Sequence, residues 1–218
     1  MAEEILKGEI KARIIEVRFA VSGKLVSLFK KKNDLVKKGE LIASLDKKIL
    51  QTRLDKELAD YEKERADFEI FNLQKGEPTD EISKYLKTQK QAELNASVKA
   101  VEVAKAELDL LDLFSPVEGV IVDDSDLASG IFVTPASYPI KILDKNSFYC
   151  EIEIRQDQIP LFLNPRSVTI KISGINKVIV GKSKPILLIG PKKGKFLVEI
   201  ELQDKTGLIT NLEAELSL

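Results

Sequence analysis

Along this chain the spacing of apolar and polar residues changes character several times. From Ile5 to Phe19 the two alternate, with Ile10, Ala12 and Ile14 set against Lys11 and Arg13, the period of two that a half-buried strand requires. Two short β-rich stretches then echo each other across a long gap. The first reads Ser22-Gly23-Lys24-Leu25-Val26, then Asn33-Asp34-Leu35-Val36, then Gly39 through an apolar run to Leu45-Asp46. The second reads Pro116-Val117-Glu118-Gly119-Val120-Ile121-Val122, then Gly130-Ile131-Phe132-Val133, then Tyr138 through an apolar run to Leu143-Asp144. Each sets a glycine before an apolar strand, a turn, a valine-bearing strand and a closing strand that ends in Leu-Asp. Halves of this kind bury their apolar faces only by meeting, so whatever lies between them must leave the sandwich and return to it.

The intervening residues, 47–114, have a helical period. Leu50, Leu54, Leu58, Tyr61, Phe68 and Phe71 recur at steps of three, four or seven, with charged residues between them. The run Lys75-Gly76-Glu77-Pro78-Thr79-Asp80 interrupts the pattern, since glycine suits a helix end and proline cannot continue an interior turn. Thr79 or Asp80 then caps a second helix. That helix carries one row of Ile82, Leu86, Ala92, Ala96, Val103 and Leu110 and another of Leu94, Val98, Val101, Leu108 and Leu111. A short link between two helices predicts an antiparallel hairpin, and each arm of about twenty-eight residues would span roughly 40 Å. A rod of that length projects from a small sandwich. Its tip, Leu73, Gln74, Lys75, Gly76, Glu77, Pro78, Thr79 and Asp80, is the expected contact site for a partner. The wide band on the second helix exceeds what one neighbour covers, which predicts self-association along that flank.

Beyond Asp144 alternation returns. Phe148, Cys150, Ile152 and Ile154 share one face; Val168, Ile170 and Ile172 follow, then Phe196, Val198, Ile200 and Leu202, then Leu212, Ala214, Leu216 and Leu218. Turn-rich links at Asn164-Pro165, Ser173-Gly174, Gly190-Pro191 and Gly194 separate them, and Gln156 to Leu163 reads as a helical turn. Such strands, with the N-terminal one, fit a small β-barrel. The expected organisation is therefore a split sandwich at 20–46 and 115–144, a hairpin at 47–114, and a barrel at 5–19 and 145–218. The class is α+β, mostly β. Gly23, Asn33, Gly39, Gly119 and Gly130 are its expected structural turns.

Composition narrows the chemistry. The 218 residues are 32% charged with a net charge of -1, which argues against nucleic acid as a partner, and Lys30-Lys31-Lys32 reads as a solvated sheet edge. There is no histidine, so Ser-His and Cys-His couples and His-ligated metals are excluded; no catalytic residue, metal ligand or cofactor site is expected. The single Cys150 reads as a small buried hydrophobe. Asp123, Asp124 and Asp126 sit in a turn without the glycine and distal glutamate of a Ca²⁺ loop. No apolar run reaches the roughly twenty residues needed to cross a bilayer, and the opening Met1-Ala2-Glu3-Glu4 lacks the basic-then-apolar order of a secretory signal.

The order half-sandwich, hairpin, half-sandwich, barrel resembles the membrane fusion proteins, the periplasmic adaptor subunits of the HlyD type. The resemblance is carried by Val21-Ser22-Gly23-Lys24-Leu25-Val26-Ser27-Leu28-Phe29 and the turn and strand from Asn33 to Asp46. It is also carried by Ser115-Pro116-Val117-Glu118-Gly119-Val120-Ile121, which is similar to the family's returning strand. Asn33 and Asn164-Pro165 stand where the family often has glycine. The Arg-Leu-Ser pattern that channel-docking adaptors carry at the hairpin tip has no copy here, since Glu69 follows Arg65 where that pattern has leucine.

The resemblance implies a non-enzymatic adaptor of an efflux or secretion assembly in the cell envelope, partnered by a membrane transporter subunit and by copies of itself in a ring. A distal channel at the tip is a further candidate partner. A cytoplasmic coiled-coil scaffold is the alternative that the missing export signal favours. The halves also resemble lipoyl and biotinyl carriers, but the hairpin that would present a modified lysine is replaced by the insertion, with Lys47 and Lys48 opening a helix instead.

Overall fold

The computed structural model describes residues 5–78, 80–185 and 195–217. Thr79, the turns at Gly190-Pro191 and Gly194, and Leu218 lie outside the described residues. The chain forms three parts: a closed barrel, a two-sheet sandwich and a helical stalk.

The barrel is antiparallel throughout. Its strands run β1 (Ile5–Lys11), β10 (Tyr149–Arg155), β13 (Lys195–Leu202), β12 (Lys177–Ser183), β11 (Ser167–Ile172) and β14 (Glu213–Ser217), which pairs back onto β1. Alternation supplies the inside. Ile10, Cys150, Ile152, Ile154, Ile170, Ile172, Val198 and Ile200 are buried together, and the 3-10 turn Gln156–Phe162 plugs one end with Phe162. Cys150 is fully buried on β10 among these aliphatic side chains, and burial pushes its thiol up to about 12.

In the sandwich, one sheet is β2 (Ile14–Val17), β9 (Ile140–Asp144), β7 (Gly119–Asp123) and β4 (Leu35–Val36). The other is β6 (Asp112–Phe114), β5 (Leu41–Leu45), β3 (Gly23–Leu28) and β8 (Phe132–Val133). The echoing stretches interlock strand by strand, Gly23 with Val133 and Leu35 with Val120, and Leu41 pairs with Phe114 at the end of the insertion. Leu25, Ile42, Leu45, Ile121, Val133, Ile140 and Ile142 fill the space between the sheets. Burying each removes apolar surface worth about 1.5–3 kcal/mol, and neither half could do so alone. Gly119 is fixed by proximity, since a Cβ there would lie 2.0 Å from the Leu143 carbonyl oxygen.

Three features depart from the sequence expectations. The alternating run 5–19 is two strands: it breaks at Ala12–Arg13, and Ile14–Val17 joins the sandwich on β9 instead of continuing the barrel. At the break the Arg13 N–H turns to the Ser147 hydroxyl, 2.8 Å, and leaves the ladder. The inserted helical segment ends at Asp109, and Asp112–Phe114 is already a sandwich strand on β5. Strand β12 has no counterpart among the expected strands. Its inward positions are Ile179, Gly181 and Ser183, while Val178 and Val180 face out, so its apolar pattern is inverted. Gly181 is small for a reason: a Cβ there would meet Ile200 at 2.6 Å.

Candidate docking site on the helical stalk

Helices α1 (Lys48–Lys75) and α2 (Glu81–Asp109) lie antiparallel and leave the sandwich between β5 and β6. At the root the stalk is tied to the sheets. Lys47 reaches Asp112 at 2.6 Å, Ser44 donates to the other oxygen of Asp112 at 2.7 Å, and the Leu45 N–H donates to the Leu111 carbonyl at 2.9 Å. One turn higher Arg53 meets Glu107 at 2.6 Å. Leu50, Leu108 and Leu111 pack against the sandwich core, so root and body share one apolar cluster. Lys47, the lysine at the junction, is thus spent on an ion pair at a helix start.

Going outward, the half-buried positions step by four and three. The continuous series is Leu50, Leu54, Glu57, Tyr61, Glu64, Phe68 and Phe71 on α1, and Ser83, Lys87, Lys90, Leu94, Ser97, Val101, the buried Ala104 and Leu108 on α2, with Asn72, Glu93, Val98, Ala100 and Glu107 half-buried beside it. This is a heptad seam. It corrects the expected rows in one place. Leu58 is not in the seam but flanks it, 40% exposed, because the strict four-three step selects Glu57. On α2 the row Leu94, Val98, Val101 and Leu108 faces α1, whereas Ile82, Leu86, Val103 and Leu110 are exposed.

The seam also changes along its length. Near the root it is Leu, Leu and Ala; near the tip α2 offers Ser83, Lys87 and Lys90, and the Asn72 Oδ1 is buried with no hydrogen-bond partner among the described residues. Apolar residues there are on the outside: Leu73 is 86%, Tyr85 74% and Ile82 73% exposed, with Ile70 and Leu86 beside them. Placing leucine and isoleucine in water while lysine occupies the seam is the reverse of what an isolated coiled coil favours.

The tip's own geometry is well closed. Gly76 ends α1 at φ 62°, a conformation that glycine adopts without cost, and its N–H bonds the Asn72 carbonyl at 3.0 Å. Asp80 caps α2, accepting from the Ser83 N–H at 2.8 Å and the Ser83 hydroxyl at 3.0 Å. These bonds, the backbone one first, hold its carboxyl below the usual value. Lys87 reaches back to Glu77 at 3.4 Å.

Of the residues expected at the tip, Leu73, Gln74, Lys75, Gly76, Glu77 and Asp80 are exposed, Pro78 is half-buried and Thr79 is outside the described residues. Ile70 and Tyr85 were not singled out by sequence. Their signal is an apolar residue out of phase with the seam, Ile70 by one position and Tyr85 by two. Of the expected turn residues, Asn33, Gly39 and Gly130 have positive φ, whereas Gly23 and Gly119 open strands β3 and β7. Among the described residues no group of metal-ligating side chains gathers, and no helix is long and apolar enough to cross a membrane.

Residues 13–145 match the family model described as the RND MFP barrel-sandwich hybrid domain. Among solved structures, a MacA-MexA chimeric protein containing the Pseudomonas aeruginosa MexA α-hairpin domain superimposes with a TM-score of 0.72 at 20% identity, over 98% of this chain and 80% of that one. The membrane fusion protein Spr0693 from Streptococcus pneumoniae R6 gives a TM-score of 0.71 at 15% identity, over 98% of this chain and 97% of that one. MacA from Actinobacillus actinomycetemcomitans gives 0.57 at 17% identity, over 99% and 78%. No curated protein matches the chain in sequence.

Proposed function

The chain belongs to the RND membrane fusion proteins, and from that premise we propose that it is a non-enzymatic adaptor linking an energised membrane transporter to a distal partner through its stalk. The observation that carries this reading is the reversal at the tip, where Leu73, Ile82 and Tyr85 are left in water at the end of a helix pair roughly 40 Å long. A stalk built only for its own stability would bury them. The expected tip contact, residues 73–80, is accordingly extended to its flanks at Ile70, Ile82, Tyr85 and Leu86.

Side-by-side copies account for the rest of the exposed row on α2. Toward the root from Ile82 and Leu86, the residues Ala96, Val103 and Leu110 continue the stripe along one flank that a neighbouring stalk in a ring would cover. Barrel and sandwich rims would meet the same neighbour, and the assembly would sit at the cell envelope, outside the cytoplasm.

The test is site-specific photo-crosslinking in the native cell. A photoreactive residue at Leu73 or Tyr85 is expected to give a product with an envelope protein other than this chain. The same residue at Val103 is expected to give a dimer of this chain. If Leu73 and Tyr85 crosslink only to cytoplasmic proteins, or to nothing while Val103 still reports an assembled ring, the adaptor reading falls.

A further inference from the structure

The waist between barrel and sandwich is crossed by two chain segments, Ala12–Arg13 and Lys145–Phe148. They brace each other through the Arg13 N–H on the Ser147 hydroxyl, 2.8 Å, and the Asp144 N–H on the Arg13 carbonyl, 3.0 Å. Of the apolar side chains at the waist, Phe148 is buried in the barrel core, whereas Ala12 and Leu143 touch that core only as half-buried neighbours. Two clefts, of about 420 and 510 Å³, open at this level, and Asn146, Phe148 and Lys205 border both. Between them runs one side chain. Lys205, in the loop between β13 and β14, stretches to the Asn146 carbonyl at 2.7 Å.

That loop is itself held in shape. Asp204 accepts from the Thr206 N–H at 2.9 Å and from Lys177 of β12 at 2.7 Å, and Lys177 also donates to the Thr206 carbonyl at 2.7 Å. Lys205 therefore springs from a braced turn of the barrel and ends on a backbone oxygen of the crossing segment.

We propose that Lys205 is a latch that sets the angle between barrel and sandwich, and that the two clefts are the space into which the barrel tilts when the latch lets go. The stalk makes the angle matter. It is rooted in the sandwich by Lys47–Asp112 and Arg53–Glu107, so it turns with that body. A tilt of about 10° at the waist would carry the end of a helix pair some 40 Å long through about 7 Å, more than one helical turn. The acceptor is a main-chain oxygen, so a change of side chain at Asn146 leaves the latch in place, whereas removal of the Lys205 amine abolishes it.

The latch is a property of the chain alone and is tested without any partner, so it stands or falls separately from the adaptor reading. Spin labels are placed on the exposed Lys38→Cys of the sandwich and Lys171→Cys of the barrel; native Cys150 is buried and does not compete. Pulsed electron-electron distance measurement on the otherwise unaltered chain is expected to give one dominant distance. Lys205→Met is expected to raise a second, tilted population about fivefold, the bias that one solvent-exposed hydrogen bond supplies. Lys205→Arg, which keeps a donor, restores the dominant distance, and thermal melts of all three remain superimposable. An unchanged distance distribution in a folded Lys205→Met, or one in which Arg fails to differ from Met, overturns the proposal.

Discussion

The two ends of the stalk are made from the same helices and packed by opposite rules. At the root, Leu50, Leu108 and Leu111 join the sandwich core and Ala104 is buried between the helices. At the tip, lysines 87 and 90 sit in the seam while Leu73, Ile82 and Tyr85 stand in water. The root is stabilised by the body it grows from. The tip keeps Phe68 and Phe71 in the seam but leaves Leu73, Ile82 and Tyr85 on its surface, and an exposed apolar surface costs free energy until something covers it. The contrast teaches that seam residues report how a stalk is held, and the residues out of phase with the seam report which of its surface is left uncovered.

Several substitutions sharpen or break the contrast. The largest effect is expected where sandwich and root meet. Leu45→Ala, at a side chain 1% exposed, should lower unfolding stability by about 3–4 kcal/mol, read from the denaturant midpoint. A loss below 1 kcal/mol would mean that the two halves do not share a core. Next, Leu108→Ala in the root seam should cost about 1–2 kcal/mol and Phe71→Ala near the tip less than half as much, since only the former abuts the buried cluster. Equal costs would erase the distinction between the ends.

Acid gives a smaller, directional test. The folded-state carboxyls of Asp80 and Glu93 lie below their ordinary values, through hydrogen bonds from Ser83 and Lys90 respectively. A depressed folded value contributes stability above the ordinary carboxylate range, and that contribution disappears as pH falls through the folded value. Helicity of the stalk should therefore hold steady from about pH 8 to 5 and decline below about 4. Circular dichroism that declines instead between pH 8 and 5 would contradict it. Least of all should change on Ile82→Ser with Leu86→Ser: stability within about 0.5 kcal/mol of the parent, because neither side chain is buried. Crosslinking or association through the tip flank should disappear, and its persistence would move the contact elsewhere.

Much of this arrangement could be read along the chain because its periods are local. A four-three step needs only the residues themselves, and the same holds for Gly76 at φ 62° and the Asp80 cap. The candidate site was harder. Ile82 and Leu86 stood out as apolar, but which of the two rows on α2 met α1 depends on the register of the partner helix, which spacing on one helix cannot supply. Leu58 was assigned to the seam for the same reason. Strand β12 escaped because its inward face, Ile179, Gly181 and Ser183, carries one large apolar residue, and Gly181 is kept small by Ile200 on the neighbouring strand β13 and not by anything near it in sequence.

The sequence by itself determined that two echoing halves must close around a projecting helix pair, because each half carries an apolar face too large to leave in water and too small to bury alone. Tertiary structure alone decided where β1 gives way to β2 and which face of α2 stays uncovered. It also decided that a lysine of the barrel would meet a main-chain oxygen at the waist. Those outcomes depend on distances between residues far apart in the chain, such as Lys205 and Asn146, and pairings of that range are fixed by how whole elements pack.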